Sequence, residues 1–434
     1  MHTKIALAMV LGALVGWGLQ TFAEATYSTT TVMKGGLEAQ LQVLDADSQR
    51  AQWLTPFVMA ADIFMRLLKM LIVPLVLSSI VTGVAGISGG KEFGRLGMKT
   101  IAYYMSTSML AIVTGLLIIN ITAPGVDAAL NLAIPENFNP GEGSSFLDIL
   151  QRMVPPNIFS ALSDNGQMLQ IIVFALLLGT FIGRVGEPHS TRMREFFDSF
   201  FAVMMAIATA VLKLIPYGVF ALVVKVVGET GFEVFVPLLK YMGIVAFALL
   251  FHACVVLPLI LKFVGGISPI AWFKAMSPAM MTALSTSSSS ITLPVSMESA
   301  EKRGGVSNKH TSFVLPLGAT INMDGTALYE CVGVIFLCQY YASTGDFDLT
   351  MGKQIFIVMT ALFASIGAAG IPSAGLIMMT AILSALGLPT EGALMLLAID
   401  RPLDMLRTMV NVWSDSCGAA LIAKSEGDAI LSQS

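Results

Sequence analysis

Apolar stretches of about 20 residues, the length that crosses a bilayer, recur along the chain and are parted by short polar segments. They fall near residues 4–24, 54–86, 98–123, 166–186, 195–228, 237–261, 311–342 and 391–423, which predicts eight transmembrane helices. The polar connections alternate in charge. Lys91, Arg95 and Lys99 crowd one, Arg184, Arg192 and Arg194 a second, Lys262 and Lys274 a third, and Lys302, Arg303 and Lys309 a fourth. Between them lie acidic segments: Glu38, Asp45 and Asp47, then Asp127, Glu136, Glu142 and Asp148, then Glu229 and Glu233, then Asp346 and Asp348. Cytoplasmic loops carry the excess of Lys and Arg, so the pattern places both termini, Lys4 included, in the cytoplasm. The stretch "IALAMVLGALVGWGL" followed by "FAEA" also imitates a secretory leader, but the charge alternation favours a first span.

Two further apolar stretches break the alternation. Residues 263–300 have basic flanks on both sides, and residues 352–388 have acidic or uncharged ones, so each must return to the side it left. Each is interrupted at its centre, the first by "STSSSS" (Ser285–Ser290) and the second by "GAAGIPSAG" (Gly367–Gly375). Irregular backbone at membrane depth is tolerated only where protein or a wet cavity satisfies it. The expected fold is therefore an all-α polytopic membrane protein with eight spans and two re-entrant helical hairpins entering from opposite faces. A hairpin followed by a full helix, twice and in opposite senses, is an inverted repeat, and its binding site belongs where the tips meet near the midplane.

Composition agrees with a membrane protein. Of 434 residues, 55% are hydrophobic and only 12% charged, against roughly 25% charged in soluble domains. A net charge of −4 gives nucleic acid nothing to hold. Cys254, Cys331, Cys338 and Cys417 lie in apolar segments without CxxC spacing, and read as core thiols outside any disulfide or metal site. His252, inside an apolar stretch, reads as a packing residue with its hydrogen bonds satisfied, a ligand being the alternative.

The chemistry concentrates in the last two spans. Asp400, Asp404, Arg407, Asn411 and Asp415 are spaced 4, 3, 4 and 4 apart, one stripe of a helix. An ionisable residue at mid-span costs about 2.5–3.5 kcal/mol on insertion scales and usually marks a transport pathway. An internal ion-pair ladder is the alternative, but three carboxylates against one or two arginines leave anionic capacity for a cation or an ammonium group. In "LPLGATINMDGTALYE", Asn322, Thr326 and Glu330 share a face, Gly318 and Gly325 loosen the helix, and Asp324 adds negative charge. Freed carbonyls and a carboxylate suit a hard cation such as sodium.

The serine-rich tip, "NMDGT", "GIPSAG" and the D-x-x-R-T-x-x-N-V-x-x-D run from Asp404 to Asp415 together resemble the glutamate/aspartate:cation symporter family. These dicarboxylate/amino acid:cation symporters include the excitatory amino acid transporters. The resemblance covers nearly the whole chain, is densest from Ser285 to Lys424, and extends to "FMRLLKMLIVPLVLSSIVTGV" in the second span. It implies a homotrimer in the cell membrane, with a static scaffold mainly in residues 1–262 and a mobile transport domain whose core is 263–424, followed by a tail, 425–434. The mobile part would carry substrate by an elevator movement. Short loops, without the extracellular insertion of animal relatives, imply a bacterial inner membrane.

Carried over residue by residue, the resemblance implies substrate contacts from Ser289, Ile371 and Gly375 at the hairpin tips. Arg407 would take the side-chain carboxylate of glutamate or aspartate, Asp404 the ammonium, and Thr326, Thr408 and Asn411 would complete the pocket. One sodium ion would lie among Gly318, Asn322, Asn411 and Asp415, a second among Thr320, Ser365, Ile366 and Ala368, and a third among Tyr104, Thr107, Ser108, Asn322 and Asp324. No other cofactor and no enzymatic activity are implied. A dicarboxylate or neutral amino acid symporter of the same family is the alternative; Arg407 argues against neutral substrates, and Asp404 against a plain dicarboxylate.

Three features differ from some or all members of the family. Its second arginine is replaced by Ser287 and Met405 at its two usual places, while Arg401 stands three residues before Asp404 as an auxiliary charge. Pro402 removes a helical hydrogen bond, which predicts a bend. Glu330 stands where several archaeal relatives have Gln and proton- and potassium-coupled eukaryotic relatives have Glu; it is the candidate for proton coupling, a permanently protonated hydrogen-bond donor is the alternative, and potassium coupling is implied by resemblance alone. From other classes, "GISGG" (Gly86–Gly90) suggests an intramembrane serine protease built on Ser88 and His252, and a passive channel or anion leak is the second rival. Ser88 beside Lys91 and Arg95, with no acid partner, argues against the protease.

Overall fold

A computed structural model of the chain describes residues 2–34, 37–85, 91–128, 130, 154–163, 167–232, 235–343, 347–366 and 374–431. The first helix, α1 (His2–Phe22), leads into a β-hairpin of β1 (Tyr27–Lys34) and β2 (Leu37–Leu44), paired antiparallel with Tyr27 opposite Leu44. This two-stranded hairpin, which the sequence reading did not foresee, is an addition to an otherwise helical set of described elements. Its β-branched, alternating run "YSTTTV" suits a pleated strand. Then follow α2 (Gln49–Ala85), α3 (Lys91–Thr122), the short α4 (Ile158–Leu162), α5 (Met168–Ile182), α6 (His189–Leu212), α7 (Ile215–Thr230) and α8 (Phe235–Phe251). One π-helical turn, His252–Val256, joins α8 to α9 (Leu257–Phe263).

The expected first hairpin is α10 (Pro269–Thr286) packed on α11 (Ser289–Lys302). Ser268 starts α10 by accepting from the Ala271 N–H, and Ser288 starts α11 by accepting from the Ile291 N–H. Between them Ser287 adopts the left-handed conformation (φ 52°, ψ 38°) that reverses the chain. At 1.5 Å per residue the arms are about 27 and 21 Å long, shorter than the roughly 30 Å hydrocarbon layer. The second stretch gives α14 (Met351–Ile366) and α15 (Ala374–Ala385), packed together. Its tip, with Ala368 and Ile371, lies outside the described residues, as does "GISGG" with Ser88.

Two expected spans are interrupted. The stretch 195–228 forms α6 and α7, bent by 51°. The stretch 311–342 forms α12 (Asn308–Ile321) and α13 (Asp324–Ser343), broken at Asn322–Met323. Around Pro402, by contrast, α16 (Glu391–Ser425) runs through as one 35-residue helix.

Among the described residues, Arg95–Thr122, Phe235–Phe263 and Asn308–Ser343 are each long and apolar enough to cross a membrane, and the bent pair α6–α7 together makes a fourth. Shorter apolar helices occupy Leu7–Phe22, Val73–Ala85, Gln170–Ile182 and Met351–Ile366. Large apolar side chains such as Ile121, Phe159, Phe263 and Val264 are exposed on the outer surface, as a lipid-facing surface requires. Cys331, Cys338 and Cys417 are buried, whereas Cys254 is exposed.

Packing divides the helices. α1 lies along α7, and α2 against α5, α6 and α7. α13 is sheathed by α3, α14, α15 and α16, while α16 also touches α8, α10, α11 and α12. Every described residue from Asp324 to Tyr341 is buried, so α13 forms the axis of this second set.

Candidate functional site

The break at Asn322–Met323 exists because the backbone there turns out of the helix, with Asn322 at φ −93°, ψ 88°. It exposes the carboxyl end of α12 and the amino end of α13 to the polar stripe of α16. Asn322, Asp324, Glu330, Asp400, Asp404, Arg407, Asn411 and Asp415 are all at most 4% exposed. Eight such side chains together inside an apolar body form a site, since each needs a partner to offset its desolvation.

Around the break, Asp324 collects donors from three other elements. Its Oδ1 accepts from Ser108 Oγ at 2.6 Å and Thr107 Oγ1 at 3.3 Å, both on α3. Its Oδ2 accepts from Ser414 Oγ on α16 at 2.6 Å and lies 3.2 Å from His252 Nε2. Asn322 Nδ2 donates to Asp415 Oδ1 at 2.9 Å and to Ser414 Oγ at 3.1 Å. Thr107 Oγ1 is 3.4 Å from Asn322 Oδ1, and Tyr104 OH donates to the Val314 carbonyl at 2.7 Å. Thus Tyr104, Thr107, Ser108, Asn322, Asp324 and Asp415 come together. Gly318 is required: a Cβ there would stand 2.6 Å from Asp415 Oδ1 and 2.7 Å from the Tyr104 hydroxyl. Among the described residues no Lys or Arg ion pair reaches Asp324 or Asp415, and the oxygen-rich donor set fits a small hard cation.

One helical turn away, Asn411 Oδ1 accepts from the Gly325 N–H at 2.7 Å and its Nδ2 donates to Thr326 Oγ1 at 3.1 Å. This ties α13 to α16 beside Arg407. The guanidinium lies 4.1 Å over the Tyr329 ring, donates from Nη2 to Asp404 Oδ1 at 2.5 Å, and places Nη1 3.5 Å from Asp400 Oδ1. Nη1 itself makes no hydrogen bond among the described residues. Gly375 packs so close that a Cβ would sit 2.6 Å from Nη1, which brings the start of α15 onto the arginine. Arg401 Nη1 donates to Asp404 Oδ2 at 2.9 Å, and Thr408 Oγ1 donates to the Asp404 carbonyl at 2.8 Å. The expected stripe is thus in part an ion-pair ladder, Arg401–Asp404–Arg407–Asp400, at one end and a cation-poor carboxylate cluster at the other.

Other expected members are more loosely placed. Ser289 is buried at the start of α11, which lies against α16. Thr320 and Ser365 each donate to carbonyls of their own helices, Leu317 at 2.9 Å and Leu362 at 2.9 Å. Ile366 is buried beside the undescribed tip. Both carboxyl oxygens of Glu330 are buried and have no hydrogen-bond partner among the described residues. Sequence reasoning missed Tyr329, Ser414 and the specific pairing of Asp400 with Arg407, whereas His252, expected as a satisfied packing residue, is buried and finds its partner in Asp324. Only the i, i+7 spacing of Asp400 and Arg407 could have signalled any of these.

Broken helices whose ends face charged side chains within an apolar helical bundle define a secondary transporter. The sequence profile described as the sodium:dicarboxylate symporter family matches residues 1–425. The chain is 34% identical over 419 residues to human excitatory amino acid transporter 3, covering 85% of this chain and 79% of the relative. It is 36% identical over 375 residues to the proton/sodium-glutamate symport protein of Bacillus caldotenax, covering 84% and 87%. It is likewise 36% identical over 413 residues to a putative sodium-dependent excitatory amino acid transporter of Caenorhabditis elegans, covering 84% and 81%. The chain belongs to the sodium:dicarboxylate symporter family, and is a multi-pass membrane transporter and not an enzyme.

Proposed function

We propose that the protein is a sodium-coupled symporter of acidic amino acids, glutamate or aspartate. The carrying observation is Arg407: a buried guanidinium, stacked on Tyr329, with a free N–H edge at Nη1 and carboxylates on its flanks. A guanidinium fork binds a carboxylate bidentately. Asp404, shared between two arginines, can exchange one of them for the substrate's ammonium. Thr326, Thr408 and Asn411 complete the pocket, with the hairpin tips at Ser289, Ile371 and Gly375 closing over it.

The cations do the electrostatic work. Sodium among Asn322, Asp324, Thr107, Ser108 and Tyr104, and again among Gly318, Asn322, Asn411 and Asp415, neutralises two carboxylates that meet no Lys or Arg among the described residues. A third ion takes Thr320, Ser365, Ile366 and Ala368. Neutralisation orders the break at Asn322–Met323, to which the substrate residues of α13 and α16 are bonded, so sodium raises substrate affinity. Compensated charge is also the condition for moving the site past lipid, which couples the two fluxes. The mobile body comprises the set packed on α13, including α3 and α8, and slides against α1, α2 and α5–α7 in an elevator movement within a homotrimer. Eight spans, two hairpins and cytoplasmic termini in a bacterial inner membrane complete the reading. Glu330 carries a proton, and potassium returns on the empty carrier.

Uptake into proteoliposomes tests this. Labelled L-aspartate and L-glutamate should accumulate against their gradients when sodium is outside, and not when choline replaces it. Competition by succinate, malate and serine separates the acidic amino acid reading from the dicarboxylate and neutral ones. Equal binding of both labels with and without sodium overturns the proposal.

A further inference from the structure

His252 lies wholly within the protein, 72 residues before Asp324. It opens the π-helical turn, whose Leu257 N–H returns to the His252 carbonyl. Such turns insert one extra residue into a helix and are frequent at functional sites. Here the turn is fastened to the charged helix, because Trp413 Nε1 donates to the Ala253 carbonyl at 3.0 Å. Trp413 is itself buried and adjoins Ser414, the other donor to Asp324 Oδ2.

The two ring nitrogens differ. Nε2 is 3.2 Å from Asp324 Oδ2, whereas Nδ1 is buried and has no hydrogen-bond partner among the described residues. An imidazole has one donor and one acceptor when neutral. The tautomer that leaves no buried N–H unsatisfied carries its hydrogen on Nε2, so the ring donates to Asp324. We propose that His252 is a positioning residue of the cation site: with Ser414 it pins Oδ2, so that Oδ1 stays turned toward Thr107 and Ser108. This rests on the sodium-coupled reading above. The carboxylate is then oriented before the cation arrives, and no reorganisation opposes binding. Without the imidazole donor Oδ2 keeps only Ser414, and the carboxylate plane can turn away from α3.

Equilibrium binding of labelled aspartate to the purified full-length protein, across a sodium titration, separates the two affinities. His252→Leu should raise the half-saturating sodium concentration about tenfold, equivalent to about 1.4 kcal/mol. Aspartate affinity at saturating sodium should stay within about threefold. His252→Gln, whose amide N–H can replace Nε2–H, should restore sodium dependence to within about threefold of the unmodified protein. An unchanged or lowered sodium requirement in His252→Leu overturns the proposal. So does an equal shift in the Leu and Gln variants, which would mean the ring only fills space, or an equal loss of aspartate affinity at saturating sodium. If His252→Leu does not purify as a monodisperse protein, His252→Asn takes its place, since its amide is too short to reach Oδ2 and the same rise is expected. Absence of sodium dependence in the unmodified protein defeats the symporter reading, and this proposal with it.

Discussion

Arg407 has two carboxylate neighbours, an aromatic face beneath it and a glycine against its edge. Replacing it by Ser removes a bidentate charged contact, so acidic amino acid affinity should fall about a hundredfold or more, about 2.8 kcal/mol. Binding assays with aspartate and serine in parallel check this, and an unchanged aspartate curve refutes the role. Arg401→Met should weaken aspartate affinity more modestly, since Asp404 keeps Arg407 but loses a 2.9 Å partner. An unaltered uptake curve would dismiss Arg401. Gly318→Ala drives a methyl group to 2.6 Å from Asp415 Oδ1, and sodium half-saturation should rise about tenfold while the protein still assembles. Glu330→Gln should flatten the pH dependence of uptake. The placement of Asp404, Arg407, Asn411 and Asp415 along one buried helix was legible from their regular spacing. The contacts of His252, Tyr329 and Ser414 were not, because they join segments distant in sequence, and no local pattern encodes which way a side chain meets another helix.

At the scale of elements, the flanking charges of 263–300 and 352–388 set these stretches apart from ordinary spans, and each forms two short helices packed together, but nothing in apolar periodicity revealed the break at Asn322 or the bend between α6 and α7. A different device closes the cytoplasmic end expected for α16. Glu426, just past that helix, accepts from Lys99 at 2.6 Å and Arg95 at 2.5 Å on α3. Asp428 accepts from the Ser307 N–H at 2.8 Å and lies 2.8 Å from His310 Nδ1, and the Leu431 N–H reaches the Gly304 carbonyl at 2.9 Å. The segment after α16 thus straps the base of the first hairpin to α3. The hydrogen bond from Lys99, joined by Arg95, holds the Glu426 carboxyl below its usual range. Burial pushes Asp428 up, but the Ser307 N–H and His310 outweigh it and hold that carboxyl low. With both values depressed in the docked state, the strap contributes stability above the ordinary carboxylate range and loses it as pH falls through the depressed values, below about 4. Asp428→Asn should therefore expose the tail to proteolysis at pH 7. The difference from the unmodified protein should vanish under strongly acidic conditions.

For the whole molecule, the two helix sets meet along surfaces that include α2 against α12 and α15, and α7 against α16. If the α13 set moves as a body, cysteines placed across these contacts should cross-link in one transport state and separate in the other, whereas pairs within a set, such as α10 to α11, should cross-link in both. Native mass measurement should give three chains per particle. Cross-links across the two sets that persist unchanged with sodium and aspartate would exclude the sliding motion.

The π-helical turn sets the rotational phase of everything after it. Each residue of an α-helix advances about 100°, so deleting one residue from His252–Val256 would bring the turn back to ordinary helix but rotate one flank against the other by that angle. Leu259 and Phe263, now exposed, share the outer surface with Phe247 and Phe251 before the turn. The shortened helix would swing one of these pairs inward. The extra residue thus lets a single rod show hydrocarbon to lipid along its length while a polar ring points the other way.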